Sequence, residues 1–262
     1  MRTSIILRLL KRTFWFPFSS KQEIEKYQKQ IRDIEWNSFK NYITKEANFL
    51  DVGCGAGDNI DRASSELNCI VTGIDPSPGS HGVGRFSAIN KLGNKILQGN
   101  AESIPFSNNT FDFVFCSHVL EHVNDEKKSL SEMKRVVKKD GTLIIGMPTA
   151  TMAVIALISY YLFTTHVNIL FFLKQIGKKD MRKRFINILV PPSHSIPNHS
   201  FIFHDLKEYR VSAWRKKIEK EFEIIETITP CLYPYPDYIQ WFPKLKLKGY
   251  SSSVFFVCKK IN

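Results

Sequence analysis

The chain has 262 residues, of which 43% are hydrophobic and 24% charged, and its formal net charge is +12. This is an ordinary globular composition, and the length suffices to bury a full core in one domain. The five scattered cysteines exclude a disulfide framework and a CxxC metal site, which favours a reducing cytosol.

The positive charge is concentrated in residues 1–46 and 141–262, whereas residues 47–140 are slightly acidic. Basic flanks of this kind indicate an anionic partner, namely nucleic acid, anionic lipid or an acidic substrate. Simple solvation of the many lysines and arginines is the alternative.

The chain begins with MRTSIILRLLKRTFWFPF, in which basic side chains interrupt an apolar run and no small-residue cleavage site follows. This pattern disfavours a signal peptide and predicts an amphipathic segment at a membrane interface. Apolar residues then recur at helical spacing, at Ile24, Tyr27, Ile31 and Ile34. Residues 1–46 are therefore predicted to form a basic, amphipathic helical region.

Strands and helices alternate from about residue 47 onwards. Short apolar runs predict seven strands, at NFLDV, CIVTGID, KILQG, FDFVFC, DGTLIIGMP, FEIIETI and SSVFFVCKK. Helices are predicted at 58–67, at 126–138 and at 205–220, the last of them capped by Asp205. The alternation predicts an α/β fold with a doubly wound, mostly parallel seven-stranded sheet and helices on both faces.

The first predicted strand runs into FLDVGCGAGDNI, in which Gly53, Gly55 and Gly57 alternate. In a doubly wound sheet, ligands bind at the carboxyl ends of the strands, and glycines let them approach the backbone closely. The dinucleotide fingerprint G-x-G-x-x-G is broken because Gly57 comes one residue early, and the G-K-[ST] of a P-loop is absent. A nicotinamide oxidoreductase and a nucleotide-phosphate site are both disfavoured.

The glycine loop and three later segments follow one another along the chain: LDVGCGAGDN, GIDPS, GNAESIPFSNNTFDFVFCSHVLEHV and EMKRVVKKDGTLIIGMP. Together they resemble class I S-adenosylmethionine-dependent methyltransferases, of the broad subgroup that includes ubiquinone/menaquinone-biosynthesis and many small-molecule enzymes. The resemblance covers about residues 47–147, with weaker similarity in 199–260. It implies a Rossmann-like methyltransferase fold and S-adenosyl-L-methionine as cofactor, and it is uninformative about the acceptor.

The resemblance implies a role in cofactor binding for individual residues. Gly53, Gly55 and Gly57 would let the backbone approach the methionine portion. Asp51, at the end of the first strand, would bond the cofactor's amino group directly or through water. Asp75, at the end of the second strand, would accept hydrogen bonds from both ribose hydroxyls.

A second group of residues would surround the adenine and the sulfonium. Asn100 stands where the family usually has aspartate, and its side-chain carbonyl can still accept a hydrogen bond from the adenine amino group. Ala101 and Glu102 would flank the adenine, and residues 116–118, which include Ser117, would lie near the sulfonium.

The histidines are the candidate catalytic and metal-binding residues. A hydroxyl acceptor needs a base to remove its proton, and the cofactor residues supply none. His194, His199 and His204 precede a predicted helix, and we predict the base to be His199 or His204, with a structural or solvated role as the alternative. His118 and His122 have the spacing of metal ligands, but no third ligand is evident in the sequence, so no metal is predicted.

An apolar stretch follows the fifth strand, since no charged residue occurs from 141 to 173. Residues 152–173 are long enough to span a bilayer, but one crossing would separate the last two strands from their sheet. We therefore expect residues 149–204 to be an apolar, then basic, insertion that caps the active site or dips into one leaflet. Its basic part, 174–184, would attract anionic headgroups. A buried helical subdomain without lipid contact is the alternative.

The predicted domains are thus 1–46, a cofactor-binding core at 47–148, the insertion at 149–204, and the end of the sheet at 205–262. The predicted function is an S-adenosylmethionine-dependent methyltransferase, located in the cytoplasm at the inner face of an anionic membrane. Its acceptor would be an amphipathic, cell-envelope or lipid-linked small molecule or glycan that is O-methylated. The alternatives are a quinone or lipid C- or O-methyltransferase, an RNA methyltransferase, and a non-catalytic membrane-binding module. Methylation of base amino groups is disfavoured, because CSHV stands after the fourth strand, where such enzymes usually have an Asn/Asp-Pro-Pro-aromatic motif, whereas RNA oxygen or ribose targets stay open.

Overall fold

The computed structural model describes residues 21–83, 95–165, 169, 185–186, 189–191, 193–195, 202–234 and 244–261. Seven strands form one sheet: β1 (Asn48–Val52), β2 (Ile70–Asp75), β3 (Ile96–Gln98), β4 (Phe111–Ser117), β5 (Val137–Pro148), β6 (Phe222–Ile228) and β7 (Ser253–Lys260). Their order across the sheet is β3-β2-β1-β4-β5-β7-β6, and β7 pairs antiparallel with both of its neighbours while the first five strands are parallel. The predicted doubly wound, mostly parallel seven-stranded sheet is confirmed.

The α-helices with described bounds are α1 (Lys21–Phe39), α2 (Asp58–Leu67), α3 (Glu126–Val136), α4 (Ala150–Ser159), α5 (Phe203–Glu208) and α6 (Val211–Ile218). The predicted helix at 58–67 has the bounds of α2. Aspartates occupy the first turn of this helix, where they complement the positive end of its dipole. The side chain of Asp125 caps α3 by accepting a hydrogen bond from the amide of Lys128.

The prediction of a single helix at 205–220 is wrong, because the chain breaks into α5 and α6. Arg210 has an extended backbone between them, which allows the rings of Tyr209 and Trp214 to stack 5.9 Å apart in the core. Asp205 is also not a helix cap. It lies inside the first turn of α5, and its carboxylate accepts hydrogen bonds from the Ser193 hydroxyl and the His194 amide, at 2.5 and 2.7 Å.

Hydrophobic clusters cover both faces of the sheet. Side chains of α3, α4, α5 and α6 pack against one face, and side chains of α1 and α2 pack against the other. On the second face, the ring of Phe39 from α1 lies 5.1 Å from that of Phe115 and 4.9 Å from that of Phe255. The aromatic contacts and the burial of these rings join α1 to the core of the sheet.

Polar contacts fix α1 against α2 as well. The guanidinium of Arg62 on α2 lies 2.7 Å from the carboxylate of Asp33, and the indole N–H of Trp36 donates to Glu66 at 3.0 Å. These contacts place α1 beside the loop between β1 and α2. The predicted amphipathic segment at residues 1–18 lies outside the described residues.

The apolar stretch after β5 is only partly described. It begins with α4 and continues into a π-helix, Tyr160–Thr164, and no helix of the described ranges is both long and apolar enough to cross a bilayer. Helix α4 buries Met152 and Ala153 against the sheet but exposes Val154 and Ile158. The basic part predicted at 174–184 lies outside the described residues.

Candidate functional site

A cavity of about 730 Å³ opens at the carboxyl ends of β1, β2 and β4. Its wall includes the glycine loop after β1, one side of α1, the loop after β2 and the residues that follow β4. The position is the ligand-binding edge of a doubly wound sheet, and the volume is that of a small-molecule site.

Backbone hydrogen bonds hold the glycine loop against the end of β2. The amides of Gly53 and Cys54 both donate to the carbonyl of Ile74, at 2.7 and 3.0 Å. The amide of Gly55 donates to Oδ2 of Asp75 at 2.9 Å. Two neighbouring strand ends are thereby joined directly beside the cavity.

The glycines of this loop are required by its geometry. Gly53, Gly55 and Gly57 have φ values of 75°, 52° and 87°, in the left-handed region that favours glycine. A Cβ on Gly53 would lie 2.2 Å from a methyl carbon of Val119, and one on Gly55 would lie 2.8 Å from the carbonyl oxygen of His81. The chain therefore presents bare backbone to whatever occupies the cavity at Gly53 and Gly55.

Asp75 is the acidic side chain of the cavity wall at the end of β2, where it is only 7% exposed. Its Oδ1 accepts from the amide of Ser77 at 2.7 Å, and its Oδ2 accepts from Gly55. Each carboxylate oxygen has two lone pairs, so one acceptor position on each oxygen remains for a ligand hydroxyl.

Asp51 is buried within β1, and its Oδ2 accepts no hydrogen bond within the described part of the chain. Burial is the largest cause, followed by the nearby negative charges of Asp75 and Asp58, and together they raise the pKa of Asp51 to about 8. A buried carboxylate of this kind is stabilised by a cationic group in the adjacent space.

The other predicted cofactor residues divide into two groups. Ala101 and Ser117 line the cavity, whereas Asn100 and Glu102 do not. Asn100 is exposed, and Oε1 of Glu102 accepts hydrogen bonds from the backbone amides of residues 124–125, at 2.7 and 3.0 Å. The adenine-binding roles of Asn100 and Glu102 stay predictions.

Of the two predicted base residues, the structure describes one. His199 is outside the described residues. His204 lies on α5 with its Nδ1 3.7 Å from a carboxylate oxygen of Asp205, and it is not part of the wall. The histidine of this loop that reaches the wall is His194, whose position depends on the hydrogen bond from its amide to Asp205.

His194 meets a second histidine at the wall. Its ring packs edge-to-face on that of His122, with the ring centroids 5.0 Å apart. Burial lowers the pKa of His194 to about 4, although the charge of Glu121 opposes the shift. The imidazole is therefore neutral near pH 7, in the form that accepts a proton or a metal ion.

Glu121 completes this group from the 3-10 helix Leu120–His122. Its carboxylate is buried, with Oε1 3.4 Å from Nδ1 of His118, and neither carboxylate oxygen accepts a hydrogen bond from the described residues. Burial raises the pKa of Glu121, but His118 and His122 together outweigh that effect and hold the pKa below its usual value.

The sequence analysis missed the contribution of α1, which supplies Arg32, Glu35 and Trp36 to the cavity wall. Glu35 is buried, pairs with Arg32 and accepts a hydrogen bond from the hydroxyl of Ser253. The available signal was the helical spacing of the apolar residues of α1. That spacing shows which face of the helix is buried, but it does not show that other residues of the helix line the cavity.

Comparisons with known proteins identify the class. Residues 50–145 match the methyltransferase domain family. Over 110 residues the chain is 30% identical to the ubiquinone/menaquinone biosynthesis C-methyltransferase UbiE of Campylobacter jejuni, which covers 40% of this chain and 46% of that relative. Over 104 residues it is 35% identical to the demethylmenaquinone methyltransferase of Staphylococcus aureus, which covers 39% and 43%. The chain thus matches less than half the length of either curated relative.

The fold comparison extends over nearly the whole chain. A crystal structure from Thermotoga maritima, described as an S-adenosylmethionine-dependent methyltransferase and possible histamine N-methyltransferase, superimposes with a TM-score of 0.53. The alignment covers 90% of this chain and 91% of that one at 19% identity, so it supports the fold alone. The architecture is the Rossmann-like methyltransferase fold. Residues 50–145 form a methyltransferase domain within this fold, and the comparisons together support a class I S-adenosylmethionine-dependent methyltransferase.

The site residues fit the cofactor of this family. The backbone at Gly53 and Gly55 leaves no room for a side chain, as a closely approached methionine portion requires. Oδ2 of Asp51 is a buried acceptor that would suit the cofactor's ammonium, although Asp51 itself is not part of the described cavity wall, and Asp75 retains acceptor positions that would suit the ribose hydroxyls. These residues would bind and orient the cofactor, with the residues after β4 beside its sulfonium.

Asp51 generates a testable prediction about protons. Without a ligand the raised pKa keeps Asp51 largely protonated at pH 7, and an ammonium beside it lowers that pKa again. Binding of S-adenosylhomocysteine at pH 7 should therefore release up to one proton, and the affinity should rise with pH until about pH 8. Calorimetry in buffers of different ionisation enthalpy measures the release.

The matched control is Asp51→Asn, which keeps the size of the side chain but cannot titrate. It should bind more weakly, without the proton release and without the rise in affinity. Equal proton release by the wild type and Asp51→Asn would remove Asp51 from the binding reaction.

Proposed function

We propose that this chain transfers the methyl group of S-adenosylmethionine to an amphipathic small molecule or glycan, of the cell-envelope or lipid-linked class, by O-methylation. The observation that carries the methyl-transfer proposal is the pairing of Asp51 and Asp75 around the glycine loop. One is a buried acceptor that favours a cation, and the other is a wall carboxylate with free acceptor positions. The polar groups of this cofactor match both.

When bound, the cofactor supplies an activated methyl group on a cationic sulfur. The chain's own residues bind it, orient it and exclude water from the cavity. Holding the acceptor in line with the methyl group lowers the activation barrier even without a catalytic side chain. In well-oriented systems this effect is about 7 kcal/mol or more. A hydroxyl acceptor must also lose its proton. His122 and His194 line the described cavity wall and are the candidates to accept that proton.

An amphipathic acceptor is supported by apolar side chains exposed near the cavity. Met152 of α4 lines the cavity, while Val154 and Ile158 of the same helix and Tyr161 and Leu162 of the following π-helix are 41–52% exposed. An exposed apolar surface of this kind favours contact with lipid or with a lipid-like substrate. We propose that this surface brings the protein to an anionic membrane, aided by the basic segment 174–184 of the sequence.

A quinone or lipid C- or O-methyltransferase is the second candidate. It is supported by the two curated relatives, whose names specify methylation in ubiquinone and menaquinone biosynthesis. A quinone with an isoprenoid tail is itself amphipathic, so the apolar surface suits both candidates. The alternatives of an RNA acceptor and of a non-catalytic module are tested by the same assay.

The assay follows radiolabelled methyl groups from S-adenosylmethionine into separated lipid, glycan, quinone and RNA fractions. We expect label in an envelope or lipid fraction. Asp75→Asn should reduce cofactor affinity about tenfold or more, because an amide nitrogen replaces an oxygen that accepts from Gly55 and from the ribose.

A 2′-deoxy analogue of S-adenosylhomocysteine separates these two effects in a double-mutant cycle. Loss of the hydroxyl should weaken binding to the wild type but not to Asp75→Asn. Equal losses in both proteins would place the ribose elsewhere. Cofactor binding with no labelled product in any fraction would favour the non-catalytic module.

Membrane contact is tested by a matched pair of isoleucines. Ile158 is exposed on α4, and Ile70 is exposed at the start of β2, at the opposite edge of the sheet from the cavity. Ile158→Glu should weaken liposome binding about tenfold or more, because it puts a charge in place of an apolar side chain that the proposal buries in lipid, whereas Ile70→Glu should not. Wild-type binding should rise with anionic lipid content and fall with salt. Wild type that ignores liposomes, or equal effects of the two substitutions, would contradict the proposal.

A further inference from the structure

Three side chains of the cavity region come from two separate segments and meet at one point. The carboxylate of Glu121 and the rings of His122 and His194 each place one ligand atom within 4.8 Å of the other two. Glu121 and His122 are neighbours on a 3-10 helix, and His194 comes from a loop that is more than seventy residues further along the chain. We propose that Glu121, His122 and His194 bind a divalent transition-metal ion of the zinc class.

The carboxylate is the observation that favours a metal ion over simple ring packing. Glu121 is 3% exposed, and both of its oxygens lack a hydrogen-bond donor within the described residues. A buried carboxylate without donors is costly unless a cation neutralises it. Nδ1 of His118 lies 3.4 Å from Oε1 of Glu121, which is longer than the about 2.7–2.9 Å of a charge-assisted hydrogen bond, so the charge of Glu121 is only partly neutralised.

The donor set selects the class of metal. Two imidazoles and one carboxylate are typical of zinc and of iron(II), whereas magnesium and calcium prefer oxygen ligands alone. An ion about 2.1 Å from each of three tetrahedral ligands holds the ligand atoms about 3.4 Å apart, so small side-chain rotations close the site from its present spacing. His118 beside Glu121 would then orient the carboxylate, as polar groups next to metal ligands do.

The backbone position of His194 is fixed by hydrogen bonds to Asp205. Asp205 is buried and accepts from the amide of His194 and from the hydroxyl of Ser193. These bonds fix the loop that carries His194 against α5. The fold therefore positions the third ligand. His194 is too far from Glu121 and His122 in the sequence for a motif with fixed spacing to identify it.

The place of the three side chains gives the ion a role. His122 and His194 line the same cavity as the glycine loop and Ser117, and three protein ligands leave at least one coordination position open. A substrate hydroxyl in that position loses its proton to water more readily, because the ion stabilises the oxyanion. The oxyanion then bonds to the methyl carbon as the carbon–sulfur bond breaks, which leaves neutral S-adenosylhomocysteine. This catalytic role rests on the proposed methyl transfer, whereas metal binding does not.

The first test measures metal binding directly. The full-length chain, stripped with a chelator, is titrated with Zn²⁺ against a chromophoric chelator. We expect one tight Zn²⁺ per chain, a loss of about 100-fold or more in His122→Ala and His194→Ala, and no more than about a twofold change in His81→Ala. His81 is the matched control because it lines the same cavity but lies outside the group. Wild type that binds Zn²⁺ no more tightly than His194→Ala would overturn the site.

A second test needs no substitution. Co²⁺ added to the stripped wild type should give the intense visible absorption of a four- or five-coordinate ion with nitrogen ligands, and Zn²⁺ should abolish it. The weak spectrum of hydrated Co²⁺ would overturn the inference even if the variants failed to fold.

The binding of S-adenosylhomocysteine, measured in each variant, separates this inference from the proposed function. Tight Zn²⁺ binding that is lost in His194→Ala, with unchanged S-adenosylhomocysteine affinity, supports the site. Full methyl transfer by the chelator-stripped wild type overturns the catalytic role of the ion and leaves the proposed function standing. Failure of the wild type to bind S-adenosylhomocysteine overturns the proposed function, while the Co²⁺ spectrum still decides the metal site.

Discussion

The hydrogen bond from the amide of Gly55 to the carboxylate of Asp75 is the constraint on which the site depends. It joins the loop after β1 to the end of β2, and two further amides of the loop reach the carbonyl of Ile74. The loop can lie this close only because its residues are glycines in the left-handed region. One carboxylate thus shapes the loop and also faces the cavity, so the geometry of the backbone and the binding of a ligand are linked through it.

The rest of the fold holds this junction in place. The packing of Phe39 against Phe115 and Phe255 sets α1 over the same edge of the sheet, and the pairing of Arg62 with Asp33 fixes it beside α2. The cavity therefore has a wall of parallel-strand ends on one side and a helix from the beginning of the chain on another.

The strands, the glycine loop and the class of enzyme were predictable from the sequence because each depends on a local sequence pattern. The seven apolar runs became the seven strands, and Gly53, Gly55 and Asp75 lie at the cavity as the family resemblance implied. The catalytic side was not predictable in the same way. His194 reaches the cavity because Asp205, predicted as a helix cap, instead holds its loop.

Long-range contacts account for the other failures as well. The break between α5 and α6 follows from the burial of Tyr209 against Trp214, which the apolar spacing of a single helix does not show. In the sequence, Glu121 is one polar residue of the segment HVLEHV. Only the three-dimensional structure shows that it is buried beside two histidines.

We expect the cavity to bind S-adenosylmethionine and not a dinucleotide. Calorimetric titration of the full-length chain with S-adenosylmethionine and, separately, with NADH tests it most directly. The account predicts saturable binding of one S-adenosylmethionine per chain and no binding of NADH, because the third glycine comes one residue too early for a pyrophosphate site. Tight binding of NADH without binding of S-adenosylmethionine would contradict it.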